Sequence, residues 1–262
     1  MNTENQNTAL ALHDVSFCYP DGKIAVDSIS FLIEEGEKVA LIGPNGAGKS
    51  TLFSLLNGVM KAQGQITVFA RAIQKNNLKW IRSKIGIVFQ NPEDQLFCPT
   101  IYDDIAFGPK NFGVADDQIE ERVQTALLDI GLSGFENRSA LQLSFGEKKL
   151  ASIATVLSYE PALIAMDEPS SNLDPYHRRR IIDWIRKTDK TIFLASHDLD
   201  LVADTCQRVL IMREGKISAD GEVKAILTNR PLLEDNYLEL PLSLQKPALF
   251  AEVMNSNFAN GM

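Results

Sequence analysis

The stretch Gly43-Pro44-Asn45-Gly46-Ala47-Gly48-Lys49-Ser50-Thr51 constrains this chain more than any other, because Gly, four residues, Gly, Lys and Ser is the spacing of a phosphate-binding loop. Gly43, Gly46 and Gly48 let the backbone turn tightly and aim successive N–H groups at phosphate oxygens, where a Cβ would obstruct. Lys49 is then placed to reach β and γ phosphates and the Ser50 hydroxyl to ligate Mg²⁺, while the helix beginning there adds the positive end of its dipole. Context supports the motif: Lys38 to Ile42 is an apolar strand, and Thr51 to Leu56 opens a helix.

Three further apolar runs read as buried parallel strands, each with a polar residue at its carboxyl end. Ile85 to Phe89 leads to Gln90, Leu163 to Met166 leads to Asp167-Glu168, and Thr191 to Ala195 leads to Ser196-His197. Ligands of open parallel sheets bind outside the carboxyl ends of the strands, so these residues converge on the phosphates held by the Gly43 loop. Asp167 and Glu168 divide two jobs there: the first holds Mg²⁺, directly or through water, and the second polarises an attacking water. His197 is placed to stabilise charge developing at the γ-phosphate or to fix Glu168 and its water. His13 and His177 lack such placement.

Elsewhere the pattern changes. Residues 9–33 alternate apolar and polar on either side of the turn Tyr19-Pro20-Asp21-Gly22, an antiparallel β region with Tyr19 available to stack on a base. Between Gln90 and Asp167 the sequence turns helical: Asp116 is expected to cap a helix whose Ile119, Val123, Ala126, Leu127 and Ile130 form one stripe, stopped at Gly131. Asp174-Pro175 starts another helix through Ile181, Ile182 and Ile185, with Arg178-Arg179-Arg180 as its solvated face. Arg213 to Ile217 reads as a hairpin turn, a short helix follows Glu222, and residues 246–262 are expected to be a loosely held tail. Leu143-Ser144-Phe145-Gly146-Glu147-Lys148-Lys149 begins a helix with a capping box, Ser144 to Glu147. That helix start is also an anion-binding surface, suited to a γ-phosphate approached from the opposite side.

Composition removes several alternatives. A net charge of −8 argues against nucleic acid as a partner, and three unevenly spaced cysteines give neither a disulfide framework nor a zinc site, so a reducing compartment is expected. No stretch nears the roughly 18 apolar residues that span a bilayer; a membrane role has to come through a partner.

Taken in order, these motifs resemble those of the nucleotide-binding subunit of an ATP-binding-cassette (ABC) transporter, across nearly the whole chain. The resemblance implies an α/β P-loop NTPase fold of ABC type, with a mostly parallel sheet core, an N-terminal antiparallel β region and a helical subdomain of about 92–160 inserted in a 9–245 domain. It implies ATP and Mg²⁺ as ligands, with Tyr19 as the adenine-stacking aromatic and Gly43 to Thr51 as the Walker A loop. Gln90 becomes the Q-loop glutamine, sharing Mg²⁺ with Ser50 and Asp167. Ser144 and Gly146 belong to the signature, Glu168 is the catalytic base, Ser171 to Asp174 the D-loop, and His197 the switch histidine. The signature departs from the family's usual Leu-Ser-Gly-Gly-Gln at Phe145 and Glu147. Gln90 to Phe97, Phe107-Gly108-Pro109 and Leu238-Glu239-Leu240-Pro241 are similar to the ATPases of energy-coupling-factor importers, especially the cobalt/nickel type; ATPases of vitamin importers are similar too. The expected setting is the cytoplasmic face of the cell membrane, peripheral, with integral membrane transporter subunits and a second ATPase protomer as partners. A soluble cassette ATPase acting on ribosomes or DNA is the rival, disfavoured by the single cassette and the acidic balance.

Overall fold

The computed structural model describes residues 7–245, so the tail at 246–262 lies outside the described residues. Strands β1 (Thr8–Cys18) and β2 (Ile24–Glu34) form an antiparallel hairpin, closed where Gly22 N donates to Tyr19 O. β3 (Lys38–Ile42) runs into the glycine loop and α1 (Lys49–Leu56). The helix starts two residues ahead of the expected Thr51, because Gly48 at φ 109° serves as its N-cap and brings Lys49 and Ser50 into the first turn. β4 (Gln63–Val68) and β5 (Arg71–Ala72) complete a four-stranded sheet of order β2-β1-β4-β5.

After α2 (Leu78–Lys84) and β6 (Ile85–Val88), the chain enters the helices α3 (Ile101–Phe112), α4 (Asp116–Asp129) and α5 (Phe145–Leu157) before returning in β7 (Leu163–Asp167). α6 (Pro175–Lys187), β8 (Thr191–Ala195), α7 (Leu199–Thr205), β9 (Arg208–Arg213) and β10 (Lys216–Glu222) follow. The short helices α8 (Val223–Leu227), α9 (Arg230–Asp235) and α10 (Leu242–Gln245) finish the described chain. The second sheet has the order β10-β9-β3-β8-β7-β6, parallel throughout except for β10 against β9. Glu214 and Gly215, both at positive φ, make the tight turn between that antiparallel pair.

Both faces of the parallel sheet are covered, which is why its strands read as unbroken apolar runs. The period of two then sorts their side chains. Val39, Leu41, Leu163, Ala165 and Phe193 join the core beneath the antiparallel sheet and α1, whereas Ala40, Ile42, Ile164, Met166 and Leu194 join the core beneath the helices. Phe193 stacks on Phe53 with ring centroids 4.9 Å apart; removing such a fully buried ring costs about 3–5 kcal/mol. The parallel strand ends Ile42, Val88, Asp167 and Ala195 therefore emerge along one edge.

Two local expectations are corrected. The stripe of α4 is buried as read, but Ala115, extended at ψ 140°, is the N-cap, and Asp116 lies inside the first turn, where its charge favours the helix dipole without a capping bond. The arginines of α6 are not simply a solvated face. Arg178 makes two bonds to Asp198 (2.6 and 2.9 Å) and Arg180 donates to Gly131 O (3.2 Å), while Arg179 is half exposed near Asp204. Asp174 does cap α6, accepting from His177 N at 2.9 Å.

Candidate active site

The glycine loop lies against backbone, and that dictates its composition. A Cβ on Gly48 would sit 2.1 Å from Ala25 O and 2.7 Å from Met212 Cε, at a φ of 109° that other residues avoid. The loop borders a cavity of about 680 Å³, lined also by Tyr19, Gln90, Asp167, Glu168 and His197. Pro44, Asn45, Gly46, Ser50 and Thr51 face this cavity with Gly43, Gly48 and Lys49, whereas Ala47 is buried beneath it. Lys49 is only 7% exposed; its Nζ donates to Gly43 O (2.7 Å) and Pro44 O (3.2 Å), which holds the ammonium over the loop. Burial lowers its pKa, and the charges of Glu168 and Asp167 oppose that shift. The Tyr19 hydroxyl is 2.8 Å from Thr51 Oγ1, and its ring meets Phe17 edge-on, so the aromatic is anchored beside the loop.

β7 delivers the two carboxylates into different surroundings. Asp167 is buried and its Oδ1 has no hydrogen-bond partner, a costly arrangement for a carboxylate oxygen. Burial raises the Asp167 pKa; a hydrogen bond with Ser50 works against this and the Glu168 charge adds to it. An orphaned carboxylate oxygen beside a hydroxyl is the donor set a hard divalent cation takes, so Asp167 and Ser50 fit Mg²⁺. Glu168 sits at φ 47°, left-handed for a residue with a Cβ, a strained geometry held by its N–H on Ala195 O at 2.9 Å. Three groups hold its Oε2: His197 Nδ1 at 2.7 Å, His197 N at 3.2 Å and Ser171 Oγ at 3.3 Å. Gln90 reaches the same cavity from the end of β6. Ser144 and Gly146 do not line it; the structure puts them at the start of α5.

This edge of glycine loop, paired carboxylates and histidine can bind a nucleoside triphosphate and activate a water. Residues 26–171 match the family described as ABC transporter. The chain belongs to the ABC transporter family. It is 42% identical over 240 residues to the energy-coupling factor transporter ATP-binding protein EcfA of Carboxydothermus hydrogenoformans, covering 90% of this chain and 88% of that protein. EcfA of Methanocaldococcus jannaschii is 39% identical over 248 residues, 92% of this chain and 88% of its own. Among solved structures, cbiO1 of Clostridium perfringens, described as part of the ABC transporter complex cbiONQ, gives a TM-score of 0.79 at 33% identity, over 95% of this chain and 99% of that one. As an ABC ATPase the protein takes ATP with Mg²⁺. Among the described residues no helix is long and apolar enough to cross a membrane.

Sequence reading gave no sign of Lys23 or Tyr237 at this ABC ATPase's site, whereas Asn172 falls in the D-loop stretch and Leu238 in the Leu238 to Pro241 stretch. Lys23, Asn172, Tyr237 and Leu238 also line the nucleotide cavity. Tyr237 follows α9 in a Schellman turn, with Leu238 N on Leu233 O and Tyr237 N on Glu234 O, and takes φ 58° where glycine is usual. Arg213 stacks over its ring at 4.3 Å. Nothing local in the sequence announces a return of the chain to the loop. Around the signature, Glu147 accepts from Ser144 N at 2.7 Å, which lowers its pKa and shows the carboxylate doing the capping work open to the family's glutamine. His177, set aside on sequence, packs its ring against Gly146: a Cβ there would meet His177 Cγ at 2.6 Å. Lys149 is the other surprise. It is fully buried and burial lowers its pKa to about 8, against the opposing charges of Asp167 and Glu168.

Proposed function

We propose that this ATPase is the energising subunit of an energy-coupling-factor importer for cobalt or nickel ions. In this reading integral membrane subunits hold it at the cytoplasmic face of the membrane, and a second, identical protomer completes each ATP site. The observation that carries the catalytic part is the Glu168 carboxylate, strained in its backbone and held by His197 beside the orphaned Asp167 oxygen. Tyr19 stacks on the base, and the amides of Gly43 to Thr51 with Lys49 cradle the phosphates. Asp167, Ser50 and Gln90 hold Mg²⁺, which when bound neutralises phosphate charge. Glu168 accepts the proton of the attacking water at a carboxylate oxygen, and His197 keeps that oxygen oriented. Ser144 and Gly146, away from their own chain's cavity, act on the nucleotide of the second protomer.

Support for a membrane partner comes from an apolar groove of about 640 Å³, where Phe89, Phe97 and Phe107 are exposed on the face formed by the Gln90 segment and α3. Exposed aromatics gathered in one concavity mark a docking surface. Support for the cargo is the likeness of Gln90 to Phe97, Phe107 to Pro109 and Leu238 to Pro241 to cobalt/nickel-type ATPases. The test is to purify the membrane complex through this chain, reconstitute it in vesicles, and measure ATP-dependent uptake of radiolabelled cobalt or nickel. Uptake is expected, and its loss with Glu168→Gln. Transport of a vitamin instead overturns the cargo; absence of any membrane subunit overturns the transport reading.

A further inference from the structure

The segment that carries Gln90 out of β6 is held chiefly by another element, α5, the helix that the signature serine caps. Gln95 Nε2 donates to Ser152 O (2.8 Å) and Thr155 Oγ1 (2.7 Å), and Lys148 Nζ pairs with Glu93. At the centre is Lys149, 0% exposed, whose Nζ donates to Phe89 O at 2.7 Å and Gln90 O at 2.8 Å. Lysine is rarely buried whole unless paired. Here no carboxylate comes within ion-pair distance among the described residues; the partners are two backbone carbonyls.

The identity of those carbonyls matters. In an extended strand the carbonyls of successive residues point to opposite sides, so two in a row cannot reach one ammonium without a bend. β6 ends at Val88, and Lys149 gathers the next two carbonyls, which fixes the kink at which Gln90 leaves the sheet for the nucleotide cavity. An apolar residue would suit the buried face of α5 without the cost of desolvating a charge. The ammonium is therefore best explained by what it holds. Ser144 stands at the N-cap of the same helix, five residues before Lys149.

We propose that Lys149 is a positioning residue for Gln90, locking the kink after β6 to the signature helix so that a displacement of α5 and the placement of Gln90 change together. This rests on the reading of Gln90 as a residue of the ATP site. A partner pressing on the groove beside Phe97 then acts on both at once, since Gln95 and Glu93 tie that stretch to α5 through the same seam.

The experiment is a double-mutant cycle on the ATPase activity of the full chain: Lys149→Met, Gln90→Ala and the pair, with kcat and KM for ATP determined for each and folding checked by thermal melting. Misplacing a positioned group costs rate more than binding, so Lys149→Met should lower kcat roughly tenfold while KM stays within about twofold. In the Gln90→Ala background the same change should cost almost nothing, because its target is gone. Lys149→Gln, whose amide can still donate to a carbonyl, should recover part of kcat; should Lys149→Met not fold, Lys149→Gln takes its place in the cycle. Equal losses in both backgrounds, or a folded Lys149→Met chain with unchanged kcat, overturn the proposal. A Gln90→Ala chain with normal kcat overturns the reading of Gln90 itself, and the proposal with it.

Discussion

The two sides of the nucleotide cavity are built differently. On the β3 side the work is done by backbone: glycines packed against Ala25 and Met212, and a lysine held by the loop's own carbonyls. On the side of β6, β7 and β8, polar side chains lock separate elements together: Lys149 to the carbonyls after β6, Arg178 to Asp198, His197 to Glu168. A backbone cradle has one shape and binds a ligand common to every member of a fold. Side-chain locks can be opened, shifted or titrated, which suits the side proposed to respond to a partner.

Glu168 belongs to the side-chain half and offers the largest effect. Glu168→Gln keeps the shape and the contact with His197 but cannot accept a proton, so kcat should fall by about 10²–10⁴ while ATP binding persists. Steady-state turnover and equilibrium nucleotide binding on the same preparation check it; turnover within a few-fold of wild type would falsify the assignment. Gly48→Ala attacks the backbone half instead. Its left-handed φ alone costs about 1–2 kcal/mol, and the new Cβ collides with Ala25 O, so ATP affinity should drop more than tenfold. Gln95→Ala, which cuts the α5 seam but not the cradle, should leave ATP affinity within about twofold. If those two binding results were reversed, the contrast drawn between the halves would collapse.

The backbone half was legible because its chemistry is local. Gly43 to Thr51 declares its role in nine consecutive residues, and the buried strands declare themselves by composition and by their polar endings. The seam was not legible, because Lys149 sits in a lysine pair beside a capping box, and its significance depends on two carbonyls some 60 residues away in sequence. Arg178 reads as surface for the same reason: Asp198 is 20 residues off and meets it only when α6 and the loop after β8 pack. Asp116 lies one position inside the cap its residue type suggests, since a good capping residue also serves in the first turn, and only the extended Ala115 separates the two.

A change of pH tests whether the side-chain half titrates. Burial alone would raise the Asp198 pKa, but the bonds from Arg178, from Leu201 N and from Ser170 outweigh it, and the net shift is downward from 3.8. A carboxylate whose folded pKa lies below its unfolded value stabilises the fold fully above the unfolded pKa and loses that contribution as pH falls through the folded one. The Arg178–Asp198 lock should therefore hold constant from neutrality down to about pH 4 and weaken only below it. Arg178→Met should cost about 1.5–3 kcal/mol near pH 7, the range for a hydrogen bond to a charged group. Urea denaturation of the two chains should show their stabilities converging as pH falls below about 4 and through the lowered pKa of Asp198. Gly48→Ala, whose deficit is steric, should keep its full difference from wild type across the same range. A pH-independent deficit for Arg178→Met would mean that the arginine supports α6 by packing its stem, and that this lock is not electrostatic.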